Sequence, residues 1–401
     1  MPEARRVVSI QDSTFRDPCL DPGILASDPL SISQITLTQF RNYEHARLVC
    51  DAAPVVITGA NGGGKTNLLE ALSLLVPGRG LRRSSLGDFQ NRASDKPWAV
   101  AIELRTDTGP LLIGTGRDCA ASCNDEERRL IHIDGKPARG QTILAEHIAL
   151  AWITPDMDRL LAEGSAARRK FLDRLAFSFD PAHGGRVRAY EKAMRERLHL
   201  LREGRADPLW LDALENEMAR RAVAIAAARR HMISRLSKAI AESGPVFPRA
   251  DIDVRGTAED LLEHQPALLV EDALRAAFAR ARREDAASGT CATGAHRSDL
   301  RVRHRAKNCP ADLCSTGEQK ALLIAVMLAY VRLLSEHRRM KPLFLLDDIA
   351  AHLDDFRRAA LFDEILSLGA QAWLTGTDQA PFSRLAPFAQ MLQVENGAIF
   401  G

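Results

Sequence analysis

The octapeptide from Gly59 to Thr66, GANGGGKT, has the form G-x-x-x-x-G-K-T, and the segments that would complete its chemistry lie at the other end of the chain. Just before it, Pro54-Val55-Val56-Ile57-Thr58 is a β-branched run of the kind that makes a buried strand. Just after it, the stretch from Asn67 to Leu75 has helical propensity and an apolar face. Strand, glycine-rich loop and helix in that order are the context that separates a phosphate loop from a chance turn. Glycine lets successive backbone N–H groups converge on an anion, and the positive end of the following helix adds to their field. Asn61, Gly62, Gly63, Gly64, Lys65, Thr66 and Asn67 are therefore expected around the phosphates of ATP. Lys65 is expected at the β- and γ-phosphates and the Thr66 hydroxyl on Mg²⁺.

A nucleotide site also needs a carboxylate for the metal. Pro342-Leu343-Phe344-Leu345-Leu346-Asp347-Asp348 is an apolar strand ending in two acids, a Walker B element. Asp347 is expected to hold Mg²⁺ through water, and Asp348 to act with Lys65 in catalysis as the base that polarises the attacking water. Ahead of it, Cys314-Ser315-Thr316-Gly317-Glu318-Gln319 precedes an apolar helix from Ala321 to about Leu334, and the Ser315/Glu318 spacing predicts a capping box. Alone, this is an ordinary helix start. Followed by a helix and then the Walker B strand, it resembles the S-x-G-[EQ] signature of the ABC-type ATPases. In that family the signature of one subunit caps the γ-phosphate held by another. The resemblance therefore puts Ser315, Gly317, Glu318 and Gln319 at the nucleotide of a second copy.

Further blocks narrow the resemblance to the RecF family of recombination mediators, relatives of the SMC-type ATPases. Phe40-Arg41-Asn42-Tyr43 resembles the family's F-R-N-Y, and Arg168-Arg169-Lys170-Phe171-Leu172-Asp173, after the Pro155-Asp156 step, its R-R-x-F-L-D. Gly294-Ala295-His296-Arg297-Ser298-Asp299-Leu300 is similar to G-P-H-R-x-D-L, with alanine for proline. Leu345 to Asp354 is similar to L-L-D-D-x-x-S-E-L-D, with Ala351-His352 replacing the hydroxyl residue and glutamate of the D-loop. What the resemblance implies is an ATP-dependent dimer that binds DNA at gaps or single-strand/double-strand junctions. It further implies weak DNA-stimulated ATP hydrolysis, help in recombinase loading and SOS induction, RecR as partner, and RecO indirectly. A transporter ATPase subunit shares the phosphate loop, signature and Walker B and is the alternative. The F-R-N-Y start and the long insertion between the two halves stand against it.

The expected fold is α/β: an ABC/SMC-like head, built as a P-loop sheet with an antiparallel β layer, plus an inserted helical arm. The alternating segments between Trp98 and Ile133 supply the β layer. The charged helical pattern from Val187 to Glu242 supplies two antiparallel helices, with a second pair from Ala258 to Arg283. The boundaries drawn are a disordered tail at 1–32, the first half of the head at 33–160, the arm at 161–290, and the second half of the head at 291–401. Residues 54 basic and 52 acidic leave a net charge of +2, so the global balance does not point to nucleic acid. Local clusters are the DNA-contact candidates, Arg82-Arg83 and Arg168-Arg169, each of which by itself could be a solvated face. Seven scattered cysteines without C-x-x-C spacing read as free thiols. With no long apolar run and no leader-like start, a cytoplasmic protein without membrane contact is expected.

Overall fold

A computed structural model of the chain describes residues 30–117, 129–204, 207–338, 341–350 and 353–401. In chain order its strands are β1 (Ser31–Phe40), β2 (Tyr43–Val49), β3 (Val55–Thr58), β4 (Ala99–Thr106), β5 (Gly109–Arg117), β6 (Arg129–Ile133), β7 (Lys136–Pro137), β8 (Leu150–Ile153), β9 (Ala250–Arg255), β10 (Asp299–His304), β11 (Cys309–Pro310), β12 (Leu343–Leu346), β13 (Ala372–Gly376), β14 (Gln390–Glu395) and β15 (Ala398–Phe400). Its helices are α1 (Lys65–Ser73), α2 (Leu144–His147), α3 (Ser165–Phe177), α4 (His183–Glu203), α5 (Pro208–Ala241), α6 (Thr257–Leu261), α7 (Ala267–Ser288), α8 (Thr316–Arg338) and α9 (Asp355–Leu368).

One sheet runs β15-β14-β3-β13-β12-β8, parallel throughout except for the β14–β15 hairpin. Every residue of β3, β8, β12 and β13 is buried, because helices and a second sheet cover both faces of the parallel strands. That second sheet, β2-β1-β4-β5-β6-β7, is antiparallel and contains the short alternating segments of residues 98–133. Gln371, 1 % exposed, ties the two sheets: its amide oxygen accepts from the Ile32 N–H and its amide nitrogen donates to the Ile32 and Asp51 carbonyls. The α/β head with an antiparallel layer and a helical arm is thus the architecture that forms.

The arm is built on α4 and α5, with α7 packed along them. The apolar stripe of α5 is divided between two cores: Met218, Ala222 and Ile225 pack with Tyr190, Leu274 and Phe278, whereas Met232, Leu236 and Ile240 join the core of the head. A single long helix therefore couples arm to head. Strand β9 pairs with β10 in a small sheet, so the helical segment and the C-terminal segment share hydrogen bonds there. The two middle blocks of the sequence interlock at the same junction. Arg168 pairs bidentately with Asp299 at 2.8 Å, Arg169 donates to the Ser298 carbonyl, and Tyr190 Oη meets His296 Nδ1 at 2.9 Å. Asp173 receives Arg229 and His183; burial would raise its carboxyl, but these bonds hold it down at about 2. Gly294 closes the junction with φ +128°, where a side chain would run into Tyr190 Oη.

Deeper in the arm, Arg197 is fully buried between α4, α5 and α7. It donates to Glu215 at 2.8 Å, to Asp285 at 2.6 Å and to the Phe278 carbonyl at 2.7 Å. Removing one partner of a buried ion cluster leaves the others desolvated and unpaired. Arg197→Met is expected to cost about 3–5 kcal/mol of stability, read as a lowered denaturant midpoint, because Asp285 then has no cation. Unchanged stability would show that the cluster is dispensable.

Candidate nucleotide site

The loop from Gly59 to Gly64 leaves the end of β3 and turns into α1 at Lys65. Its shape depends on Gly59, Gly62 and Gly64, which have positive φ. At Gly64 (φ +122°) a Cβ would come within 2.7 Å of Asn42 Nδ2 and 2.8 Å of Tyr43 Oη. These two side chains belong to the F-R-N-Y block, and the structure shows what it does. Asn42 donates to the Gly63 carbonyl at 2.9 Å and accepts from Asn67 Nδ2; Tyr43 donates to the Gly64 carbonyl at 3.0 Å. Arg41 binds the fully buried Glu70 of α1 bidentately at 2.8 Å, and Phe40 stacks on Phe89. The turn between β1 and β2 thus clamps the carbonyl side of the loop; the Gly63 N–H is turned back to the Ala60 carbonyl at 3.1 Å, and among the described residues the N–H groups of Gly62, Gly64 and Lys65 are left to face an anion.

Lys65 is 4 % exposed, and its Nζ donates to the Gly59 and Ala60 carbonyls at 2.8 and 3.0 Å. The ammonium is thereby held inside the curl of the loop. Thr66 Oγ1 donates to Asp347 Oδ1 at 2.9 Å, which joins the two motifs across 281 residues of sequence. β13 lies between β3 and β12, and from it Thr375 Oγ1 donates to the same Asp347 oxygen at 2.8 Å while accepting the Asp348 N–H at 2.9 Å. Thr375 is a residue that motif reading missed. Its only signal is position, at the end of a strand whose neighbour is fixed by folding.

Burial pushes the Asp347 carboxyl above its ordinary range; the Thr375 and Thr66 hydroxyls draw it back, and the adjacent Asp348 repels it further. Asp348 itself has φ +48°, a conformation that costs a non-glycine residue of order 1 kcal/mol and turns the second acid away from the strand direction. Two carboxylates and a threonine hydroxyl, all hard oxygens with one carboxylate buried beside like charge, fit a divalent cation. The free N–H groups and Lys65 fit the phosphates beside it.

The signature segment lies elsewhere on the surface. Ser315, Thr316 and Gly317 are exposed, and among the described residues no hydrogen bond links residues 315–319 to the phosphate loop. Half of the predicted capping box is present, since the Glu318 carboxylate accepts the Ser315 N–H at 3.1 Å while also meeting Lys307. Gln319 is buried and donates to the Cys314 carbonyl, and Lys320 pairs with Asp158 at 2.9 Å. Ser315 and Gly317 face outward, whereas the side chains of Glu318 and Gln319, expected with them at the nucleotide of a second copy, make local bonds in this chain. The Asn67 amide is likewise bonded locally, to Asn42 and Arg82. Asn61 and Gly62 stay exposed at the loop tip.

Of the basic pairs, Arg168 is bonded to Asp299 and to the Leu161 and Glu163 carbonyls. Arg82 lies over α1, bonded to Asn67 and 3.8 Å from Glu70. Arg83 is exposed. Asp354 caps α9 by accepting the Arg357 N–H at 2.8 Å; Ala351, His352, Cys19, Cys119, Cys123 and the tail before Leu30 lie outside the described residues. The described cysteines Cys50, Cys291, Cys309 and Cys314 are free thiols. Among the described residues no helix is long and apolar enough to cross a membrane.

The family model described as RecF/RecN/SMC N terminal domain matches residues 31–399. The DNA replication and repair protein RecF of Rhizobium rhizogenes is 46 % identical over 92 % of this chain and 98 % of its own length. The chain belongs to the RecF family. A second RecF, from Mesorhizobium japonicum, is 48 % identical over 92 % of this chain and 97 % of its own. A solved structure of the recombination mediator protein RecF in the RecFOR pathway superposes with a TM-score of 0.80 at 22 % identity, covering 93 % of this chain and 98 % of that one. The Smc head domain of Pyrococcus furiosus has the same fold at a TM-score of 0.51 and 17 % identity. RecF-family membership makes this a protein of DNA replication and repair, and it leaves the transporter alternative without support.

Proposed function

We propose that the chain is an ATP-operated DNA clamp of recombinational repair, in which two copies close on nucleotide and open when it is hydrolysed. The observation that carries this reading is the split of the site. One surface holds Lys65, Thr66, Asp347 and Asp348, and a separate exposed surface presents Ser315 and Gly317, with no hydrogen bond among the described residues from either to the phosphate loop. Solved RecF proteins with ATP and in the RecFOR pathway support the choice of nucleotide and the setting.

Bound there with Mg²⁺, ATP supplies phosphate contacts that exist only between two copies and a bond whose cleavage removes them. The chain's own residues do the rest. Lys65 and the loop N–H groups orient the phosphates, and Thr66 and Asp347 hold the metal side. Asp348 takes the proton from water, its backbone fixed by Thr375. Ser315 and Gly317 of the second copy close the site and exclude solvent. DNA is then held by basic residues that closure brings together, with Arg82, Arg83, Arg168 and Arg169 as the candidates, Arg168 being the one paired with Asp299. Slow DNA-stimulated turnover, recombinase loading at gaps or junctions with RecR and indirectly RecO, and SOS induction belong to the same reading. So does the division into two head halves (33–160 and 291–401, with Ser31 and Ile32 already part of β1) and an arm (161–290).

DNA affinity should rise with ATP and fall steeply with salt, since phosphate contacts release counterions. Fluorescence anisotropy with and without ATP, over a salt series, measures both. DNA bound equally tightly without nucleotide would refute the clamp.

A further inference from the structure

A group of basic residues lies away from the nucleotide. A cleft of about 920 Å³ opens between the head and the arm, walled by the segment after α1, the turn at 140–142, α3, α4 and one turn of α5. Arg83, Arg169, Lys170, Arg174 and Arg188 line it, together with Arg229. Only two carboxylates face it. Asp173 is already held by Arg229 and His183, and Glu191 lies 3.9 Å from Arg195 on its own helix. Among the described residues, none of Arg83, Lys170, Arg174 and Arg188 has a carboxylate within ion-pair distance.

Arg174 is the most informative of them. Its guanidinium lies over the Trp152 ring at 4.3 Å and near Phe171 at 5.3 Å, and its one polar contact is the Met157 sulfur at 3.7 Å. Burial pushes it down to about 10; Tyr330 draws it back up, and the neighbouring Arg83 adds like-charge repulsion. A sunken cation facing other cations is a costly arrangement that a bound anion relieves. The fold keeps this charge without an internal counter-ion, although nearby Arg168, Arg197 and Arg229 each have one.

The cations also occupy two depths. Arg83, Lys170 and Arg188 are exposed, whereas Arg169 and Arg174 are partly buried behind them. A rigid duplex, with two backbones wound about a stacked core, reaches the inner set less readily than a slim single strand does. A single strand can enter and engage both sets, and the partly buried Phe177 on the same wall offers a ring for a base.

We propose that the head–arm cleft binds the phosphodiester backbone of single-stranded nucleic acid, so that at a junction the unpaired strand enters this cleft while duplex lies on the outer surface. This rests on the DNA-binding reading above and names the part of the DNA that the cleft takes.

The test uses the full chain with ATP, a labelled oligo-dT and a hairpin duplex of matched length. Lys170→Ala/Arg188→Ala changes exposed side chains only, so folding is not at stake. The double variant should bind oligo-dT at least about tenfold more weakly and lose about 1.4 units from the slope of log K against log salt. Duplex affinity should change less than about twofold, and a bromodeoxyuridine-substituted strand should crosslink to α3 or α4 in the parent protein. Equal losses for strand and duplex, or no loss for either, would overturn the assignment. So would displacement of the strand by inorganic pyrophosphate at equal phosphate concentration, which would mark a small-anion site. A parent protein that binds neither probe would refute the DNA reading itself.

Discussion

Replacing Ser315 by arginine is expected to leave nucleotide binding by the single chain near normal, yet to weaken ATP-driven pairing by about ten- to a hundredfold. Ser315 is exposed and makes no contact with its own phosphate loop, so a long side chain there disturbs nothing within the monomer. In the closed pair it would occupy the gap between two copies, where overpacking costs about 1–3 kcal/mol. Sizing with and without ATP measures the effect. Mixing the variant with Lys65→Ala gives the sharper result. In a two-fold dimer each site combines the loop of one copy with the signature of the other. The mixed dimer therefore has one intact site and one doubly defective site. Random pairing predicts recovery of about a quarter of the parental number of sites, from two proteins that are each inactive. No recovery of ATPase activity would show that the sites are not shared. Asp348→Asn should act in the opposite sense, slowing hydrolysis and accumulating the ATP-bound dimer, because the base is lost while the closing contacts remain.

Lys65→Ala is expected to weaken ATP binding about ten- to a hundredfold, the worth of about 1.5–3 kcal/mol for a hydrogen bond to a charged group. The fold should survive, as Nζ bonds only the Gly59 and Ala60 carbonyls. Calorimetric titration with ATP gives the affinity, and circular dichroism the control. Lys65→Arg separates charge from geometry. A planar guanidinium retains charge but cannot replace a compact ammonium inside the loop's curl, so binding persists while hydrolysis fails. Ordinary affinity and ordinary dimerisation in the alanine variant would remove Lys65 from the site.

Much of the site was legible because its parts are local patterns. Strand, glycine loop and helix around Lys65 are contiguous, and so are the apolar run before Asp347 and the helix start at Ser315. The head and the antiparallel layer were legible for the same reason, through runs of period two and buried apolar stretches. What sequence alone could not assign was which polar groups remain available. Asn67, Glu318, Gln319 and Arg168 all match a pattern, yet each is bonded to a neighbour that only folding supplies: Asn42, Lys307, the Cys314 carbonyl and Asp299.

The amino-acid order by itself determined the phosphate loop, the acidic strand, the signature segment and the family blocks, because the spacing of a few residues sets local backbone geometry. Tertiary structure decided the rest. The position of β13 between β3 and β12 brought Thr375 to Asp347, a relation no spacing encodes. The packing of the β1–β2 turn against α1 showed that F-R-N-Y is a clamp on loop carbonyls. The docking of α3 against β10 turned one arginine of a basic pair into an internal bond, while Arg174 was left facing the cleft without a carboxylate. The physical reason is common to all three. A hydrogen bond or ion pair depends on distances of about 3 Å between groups far apart in sequence, and packing alone sets those distances.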